Sequence, residues 1–128
     1  SPEFVRRLRG MFAFALWDAK ERRLVLGRDR LGIKPLFIHE TKGGQIRFGS
    51  EMKAILACGD VPKDVDLGAL DGYLAQNYVA SPSTLLTSVR QIEPGEILIR
   101  SEREMAVKRA MAPMALVAAT VSRIVPVA

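Results

Sequence analysis

Cysteine and histidine occur only once each among the 128 residues of this chain, and aromatic side chains make up 6% of it. The lone Cys58 cannot form an intramolecular disulfide, which fits a reducing compartment and predicts the cytoplasm. No apolar run approaches the roughly 18 residues that a membrane-spanning helix needs. The first residues also lack the apolar segment of a secretory signal. We therefore expect a cytoplasmic protein that does not enter a membrane.

The formal net charge is +5, and many of the arginines lie close together near the start of the chain. This cluster comprises Arg6, Arg7, Arg9, Arg22, Arg23, Arg28 and Arg30. It suggests a basic face for nucleic acid, but the aromatic residues lie in strand-like runs instead of between the cations, where they would stack on bases. The acidic Asp18, Glu21 and Asp29 also interrupt the cluster. We do not expect nucleic acid as a partner, and a noncatalytic basic binding or assembly module stays an alternative.

Strand-like segments dominate the first fifty residues. In MFAFALWD, residues 11–18, large side chains alternate with smaller ones and both faces are apolar, so we expect both to be covered. DAKERR connects this strand to LVLGRD, and a Gly-Gly turn in TKGGQ connects KPLFIHE to IRFGS. Such short connections predict a four-stranded antiparallel meander. Later, a Pro-Gly turn leads to the strand EILIR, with which EMAVKR is expected to pair.

The sequence also contains helical patterns, so together with the strands it predicts an α+β fold. VRRLRG, residues 5–10, has the cations and the glycine of a helix C-terminus. Ser50 is predicted to cap a helix over EMKAILAC, with Glu51 in its first turn and Gly59 just past its end. Asp66 is predicted to open a second helix, LGALDGYLAQ, whose leucines recur at helical spacing.

The stretch GRDRLGIKPL, residues 27–36, lies between two predicted strands. Gly32 tolerates positive φ, and Pro35 fixes its own φ and restricts Lys34. Asp29 is suited to accept hydrogen bonds from backbone amides of a turn. These properties predict a rigid corner. A cation cluster that binds phosphate or carboxylate is the alternative, but the stretch has neither a Gly-x-Gly pattern nor a following helix.

Four segments carry a family resemblance: LRGMFAFALWD, LVLGRDRLGIKPLF, FGSEMKAIL and VRQIEPGEILI. In order and spacing they resemble the second half of the glutamine amidotransferase domain of asparagine synthetases, a class II amidotransferase with an N-terminal nucleophile hydrolase fold. The resemblance implies an α+β fold that is part of an αββα sandwich with antiparallel sheets, here truncated. Another class II amidotransferase stays an alternative, because related members have a similar Arg-Asp-x-x-Gly-x-(Arg/Lys)-Pro-Leu stretch.

The resemblance also implies a reaction for the whole enzyme. An N-terminal cysteine attacks the side-chain amide of glutamine with its own α-amine as base, and the ammonia passes to a synthetase domain that activates aspartate with ATP and Mg²⁺. This sequence begins with Ser1 and Pro2 and contains no RGPD, NGEIYN or SGGxDS stretch. We therefore predict an inactive fragment with no catalytic residue, no metal ligand and no cofactor of its own.

One position of the family's glutamine site falls inside the chain. The residue before GMFAF is often an Asp that receives the substrate α-amino group, and here it is Arg9, which cannot accept from an ammonium. We expect His39 at the surface and Cys58 as a small buried residue. The other motif residues are expected to support the fold or its contact with the synthetase domain. They are Arg28, Asp29, Gly32, Lys34, Pro35, Ser50 and Glu51.

Three segments are expected along the chain. Residues 1–4 are typical of a cloning scar, residues 5–109 form a partial amidotransferase domain, and residues 110–128 depart from the family pattern, with no acidic, aromatic or glycine residue. A sandwich that lacks its first half leaves strand edges and an apolar face open to another chain. We therefore expect self-association, with strand exchange as one route and the apolar tail as one cover.

Overall fold

The computed structural model of the protein describes residues 2–101 and 105–109, with residues 2, 3 and 105–109 as backbone alone. These residues form two compact units, one made of the described residues up to Lys34 and from Pro94 onward, the other of Pro35–Glu93. In chain order the elements are a 3-10 helix (Pro2–Arg7), β1 (Ala13–Asp18), β2 (Arg23–Arg28), β3 (Phe37–Glu40), β4 (Ile46–Gly49), α1 (Met52–Leu56), α2 (Leu67–Gln76), β5 (Arg90–Gln91), β6 (Glu96–Ser101) and β7 (Met105–Arg109). Within the described part, no helix has the length and apolar character needed to cross a bilayer.

The first unit contains an antiparallel sheet in the order β1-β2-β6-β7. At its centre Val25 lies opposite Ile99 and Leu26 lies opposite Leu98. Because neighbouring residues of a strand point to opposite faces, the burial of both Val25 and Leu26 shows that both faces of β2 are covered here. One face belongs to an apolar cluster of Val5, Phe12, Val25 and Ile97, against which Leu8, Phe14 and Ile99 pack.

β1 lies at the end of this sheet, and no described strand pairs with its outer edge. The Asp29 N–H donates to the Phe12 carbonyl at 2.8 Å, and backbone groups of an antiparallel strand alternate in direction from there. The residues whose N–H and C=O groups point toward β2 are Phe14, Leu16 and Asp18. Those whose groups point away from β2 are Ala13, Ala15 and Trp17.

The prediction that both faces of this first strand are covered is wrong for its second half. Leu16 is 44% exposed and Trp17 is 52% exposed. The 3-10 helix packs on the first half of the strand, where Val5 and Phe12 share an apolar cluster and the Phe4 ring lies 5.8 Å from the Phe14 ring. The apolar pattern therefore predicted the strand itself but not the exposure of its later residues.

The second unit contains a three-stranded antiparallel sheet in the order β4-β3-β5. Its apolar cluster consists of Ile55, Val61 and Val89, with Phe37, Met52, Leu56 and Leu86 packed against it. Thr84, 3% exposed, has its hydroxyl oxygen 2.7 Å from the Val89 carbonyl and 2.9 Å from the Leu86 carbonyl, so its single O–H is shared between these two acceptors. This buried hydroxyl shapes the irregular segment that leads into β5.

The predicted α+β class with antiparallel sheets is confirmed, but the four-strand meander is wrong. The hairpins β1–β2 and β3–β4 and the pair β6–β7 form as expected. β2, however, pairs with β6 instead of β3. Between Arg28 and Phe37 the chain forms an irregular loop with its own hydrogen bonds, so β3 starts a separate sheet. β6, in which the neighbouring residues Ile97 and Leu98 are both buried, takes the place beside β2.

The two predicted α-helices are present. α2 has the predicted bounds, and the Asp66 carboxylate caps it by accepting the Ala69 N–H at 3.0 Å. α1 is shorter than expected, but Gly59 follows it with a φ of +83° and donates to the Leu56 carbonyl at 3.2 Å. Asn77, with a φ of +60°, ends α2 by donating to the Tyr73 carbonyl.

The start of the chain differs from the expected helix end over residues 5–10. A 3-10 helix over Pro2–Arg7 replaces it, and Gly10 has the positive φ, +97°, of a turn. The cloning-scar boundary after residue 4 is not tested and stays a prediction. The tail over residues 110–128 lies outside the described residues.

Candidate functional site

The strongest candidate site is the loop over residues 28–34, which we call the Asp29 loop. Asp29 is only 1% exposed. Its Oδ1 accepts the N–H groups of Leu31 and Ile33, both at 3.1 Å, and its Oδ2 accepts the Lys34 N–H at 3.0 Å. The carboxylate therefore holds the backbone amides that an external anion would need.

Arg28 binds the carbonyl groups of the same loop. Its Nε donates to the Lys34 carbonyl at 2.8 Å, and its Nη2 donates to the Gly32 carbonyl at 2.6 Å. Burial lowers the pKa of the Arg28 guanidinium from its ordinary value, and the Asp29 carboxylate acts in the opposite direction. Such a group stays charged at neutral pH, so these are charge-assisted hydrogen bonds.

Glycine is the residue type that fits at position 32, the tightest point of the Asp29 loop. Its φ is +64°, and a Cβ built on it would lie 2.7 Å from Cγ of Pro94 and 3.2 Å from Cζ of Arg28. The backbone closes nearby, where the Asp29 carbonyl accepts from Gly32 N–H at 3.0 Å and from Gly95 N–H at 2.9 Å. The turn before β6 thus packs against the loop.

This geometry makes the Asp29 loop a rigid corner. Its inward polar groups satisfy one another, while the side chains of Leu31, Ile33 and Lys34 are exposed. Pro35 follows the loop and is also exposed. Chemically, the loop can fix the positions of neighbouring elements, whereas its backbone amides are already used by Asp29.

The helix cap predicted at Ser50 is wrong. The N-cap of α1 is Glu51, whose extended backbone has φ −133° and ψ 140° and whose side chain makes no capping hydrogen bond. Glu51 instead lies 2.8 Å from the Lys53 ammonium, and both side chains are largely exposed. The Ala54 N–H bonds to the Glu51 carbonyl at 3.2 Å, so the first turn closes one residue later than expected.

Arg9 lies at an exposed position between the 3-10 helix and β1. Its assignment to the family's glutamine site stays a prediction. The residue after it, Gly10, makes the turn that leads the chain into the sheet.

Two expectations about reactive side chains are wrong. Cys58 is exposed just past α1 instead of buried. His39 is 6% exposed instead of lying at the surface, and its Nδ1 lies 2.7 Å from the Ser88 carbonyl. A carbonyl oxygen only accepts hydrogen bonds, so Nδ1 carries the hydrogen of this bond. Nε2, the other ring nitrogen, takes no part in it.

His39 borders an open cavity of about 570 Å³ within the second unit. Its polar lining includes Asp60, Ser88 and Arg90. Nearby, Arg47 Nε donates to Asp60 Oδ1 at 2.9 Å, and Arg47 Nη2 binds the other carboxylate oxygen. The bond from Arg47 is the main cause that lowers the pKa of Asp60 from its ordinary value. Across the described residues, no three His, Cys, Asp or Glu side chains meet as a metal-binding group.

Part of the basic cluster is occupied by contacts inside the first unit. Arg23 donates from Nε and Nη2 to Asp18 Oδ2 at 3.2 and 3.1 Å. The pKa of Asp18 is lowered, first by the hydrogen bond from the Glu21 N–H and also by Arg23. Because Arg28 is buried as well, the sequence cluster does not present all its cations on one surface. The sequence motif identified both Arg28 and Asp29 as residues that support the fold, but no local pattern indicated that the Arg28 guanidinium points inward or that Arg47 pairs with Asp60.

The chain matches a family model described as a glutamine amidotransferase domain over residues 1–111. It therefore belongs to the glutamine amidotransferase domain family. The predicted resemblance to asparagine synthetases is also confirmed, because proteins of that name are among its relatives.

Three relatives illustrate the range. Asparagine synthetase [glutamine-hydrolyzing] 1 of Bacillus subtilis is 38% identical over 108 residues, which are 83% of this chain and 17% of the relative. Asparagine synthetase B [glutamine-hydrolyzing] of Escherichia coli is 43% identical over 81 residues, 60% of this chain and 15% of the relative. Amidase chry2 of Gibberella zeae is 35% identical over 105 residues, 79% of this chain and 15% of the relative. The chain thus spans about a sixth of the length of these curated relatives.

Proposed function

We propose that this chain is the scaffold part of the glutamine amidotransferase domain of a glutamine-dependent asparagine synthetase. The whole enzyme would release ammonia from the side-chain amide of glutamine and use it to amidate aspartate, with ATP and Mg²⁺ bound outside this chain. The names of the bacterial relatives support this activity. The cytoplasm is the proposed location, since that is where free glutamine, aspartate and ATP occur together.

The observation that carries the scaffold role is the internal satisfaction of the Asp29 loop. Asp29 is buried, and its two carboxylate oxygens accept three backbone N–H groups. Arg28 binds two carbonyls of the same loop. Buried groups that are used in this way orient the chain, which supports a structural role for them.

We propose further that the chain alone does not hydrolyse glutamine. A class II amidotransferase uses a cysteine whose own α-amine accepts the thiol proton, so that the thiolate can bond to the amide carbon and ammonia can leave. The only thiol here is that of Cys58, whose nitrogen is part of a peptide bond and donates to the Ile55 carbonyl at 3.2 Å. That nitrogen cannot serve as the base.

A glutaminase assay tests the inactivity of the chain. Purified chain is incubated with glutamine, and glutamate and ammonia are measured against a protein-free blank, with Cys58→Ser as the matched control. We expect no release above the blank from either protein. Turnover that survives purification and disappears in the Cys58→Ser protein would contradict the proposal.

The activity of the whole enzyme needs a separate assay on the full-length gene product. We expect glutamine-dependent formation of asparagine that requires aspartate, ATP and Mg²⁺. Glutamine hydrolysis without amidation of aspartate would instead indicate a different class II amidotransferase. Absence of glutamine hydrolysis from the full-length product would refute the proposed function.

A further inference from the structure

We propose that the outer edge of β1 is an interaction surface for a second copy of this chain, which pairs with it antiparallel about a two-fold axis at Ala15. This interaction goes beyond the proposed amidotransferase function. Among the described strands β1 ends the sheet, and the N–H and C=O groups of Ala13, Ala15 and Trp17 point away from β2, where no described strand pairs with them. Unpaired groups of this kind are a template for another strand.

The alternation of the backbone restricts the register of such a pair. Residues whose N–H and C=O groups point away from β2 must lie opposite the equivalent residues of the other copy, because only these groups can form hydrogen bonds between the two strands. Centring the pair on Ala15 places Ala15 opposite Ala15 and Ala13 opposite Trp17. In this register every N–H and C=O group of Ala13, Ala15 and Trp17 has a hydrogen-bond partner in the other copy. Any other permitted register leaves some of these groups without one.

The side chains fit this register as well as the backbone does. On one face the large Trp17 of each copy lies opposite the small Ala13 of the other, and two alanines meet at the centre. On the other face Phe14 lies opposite Leu16 of the other copy. Aromatic and aliphatic cross-strand pairs of this kind stabilise a sheet. The strand thus complements itself, which is the reason for naming a second copy as its occupant.

Exposure along β1 points to the same surface. Trp17 is 52% exposed and Leu16 is 44% exposed, although both are large apolar residues. Sheet edges that remain single are commonly protected by lysine, proline or a bulge. β1, AFALWD, contains neither lysine nor proline, and its one charged residue, Asp18, is paired with Arg23 at its end. Nothing in the strand repels a partner.

The test combines oligomeric state with two local probes. Sedimentation of the full chain across a wide dilution series is expected to show a monomer–dimer equilibrium. Trp17 is the only tryptophan, so its emission should shift to the blue as the dimer forms. Amide hydrogen exchange should slow at Ala13, Ala15 and Trp17 on association.

Two substitutions of Ala15 test separately how the side chains and the backbone hydrogen bonds contribute to the pairing. Ala15→Lys places two lysines opposite each other, and like charges in directly opposed positions destabilise a pair. We expect it to weaken association by about tenfold or more in Kd, which corresponds to about 1.4 kcal/mol. Ala15→Pro removes an outward N–H but keeps the ladder to β2, and proline is tolerated at such edges. It should weaken association similarly.

Leu67→Lys is the matched charge control, because Leu67 is 74% exposed on α2, in the other unit. It should leave the Kd unchanged. A chain that stays monomeric at high concentration overturns the proposal. So does a dimer in which the Trp17 emission and the three amides are unaffected, or one that Leu67→Lys dissociates and both Ala15 substitutions leave intact. None of these outcomes depends on glutaminase activity.

Discussion

Arg28 and Asp29 are neighbours in sequence and stabilise the same loop through opposite kinds of backbone group. The Arg28 guanidinium donates to the carbonyls of Gly32 and Lys34, and the Asp29 carboxylate accepts the N–H groups of Leu31, Ile33 and Lys34. Each side chain satisfies groups that the other cannot. The stability of the corner therefore depends on both.

Asp29→Asn keeps the shape of the side chain and changes one oxygen into a donor. If the new amide nitrogen takes the place of Oδ2, it faces the Lys34 N–H, and two donors then oppose each other. We expect a loss of about 1–3 kcal/mol in the free energy of unfolding, measured by urea denaturation. Asp71→Asn, at an exposed position of α2, is the control and should change stability by less than about 0.5 kcal/mol. Equal effects of the two substitutions would show that the buried carboxylate is not what stabilises the loop.

Gly32→Ala should destabilise the first unit for two additive reasons. A side chain at a φ of +64° is strained, and its Cβ would lie 2.7 Å from Pro94 Cγ. Together we expect a loss of about 2–4 kcal/mol in the free energy of unfolding. Gly72→Ala is the matched control, because it lies within α2 with nothing near its added Cβ. It should stabilise the protein by about 0.5–1 kcal/mol, since alanine favours helix. A stabilising Gly32→Ala would contradict the tight corner.

The Arg47–Asp60 pair gives stability a defined dependence on pH. Arg47 lowers the pKa of Asp60 in the folded protein below the ordinary value of 3.8. The contribution of the pair is therefore present above that value and is lost as pH falls through the folded-state pKa. We expect Asp60→Asn to be less stable than the unsubstituted protein near neutral pH and the difference to shrink in acid. Chemical denaturation at a series of pH values checks this, and a difference that grows toward low pH would oppose it.

Alanine substitutions of two leucines test how strongly stability depends on a core position compared with a surface position. Leu26 is fully buried in β2, whereas Leu74 is 75% exposed on α2. Leu26→Ala should reduce the free energy of unfolding by about 2–5 kcal/mol, because it removes packed atoms and leaves a cavity. Leu74→Ala should change it by no more than about 0.5 kcal/mol. Thermal and urea unfolding of both variants provide the measurement, and a large loss at Leu74 would reveal cover that the described residues do not provide.

Features that depend on near neighbours in sequence were predictable. The bounds of α2 followed from Asp66 and from the leucine spacing, because a cap acts within one turn. The role of Asp29 in bonding turn amides followed from the short reach of its side chain. The same leucine spacing did not predict exposure, since it shows which residues share a face and not what covers that face.

Features that depend on distant segments were not predictable. The pairing of β2 with β6 joins parts of the chain that are far apart, so short connections suggested the wrong neighbour. The burial of His39 depends on Ser88, and no sequence pattern links the two. Cys58 was expected to be buried because free cysteines usually are, but it lies past the end of a short helix that leaves it in solvent.

The bond from Gly95 N–H to the Asp29 carbonyl has a consequence for the order of events during synthesis. The hairpin of β1 and β2 has all its residues as soon as it leaves the ribosome. The corner after it stays incomplete until Gly95 and the strand behind it have also emerged, because contacts between distant residues form only after the intervening chain is available. A nascent chain paused before that point would carry the residues of the hairpin without β6 to pair with β2 and with an unfinished corner, open to proteases and chaperones.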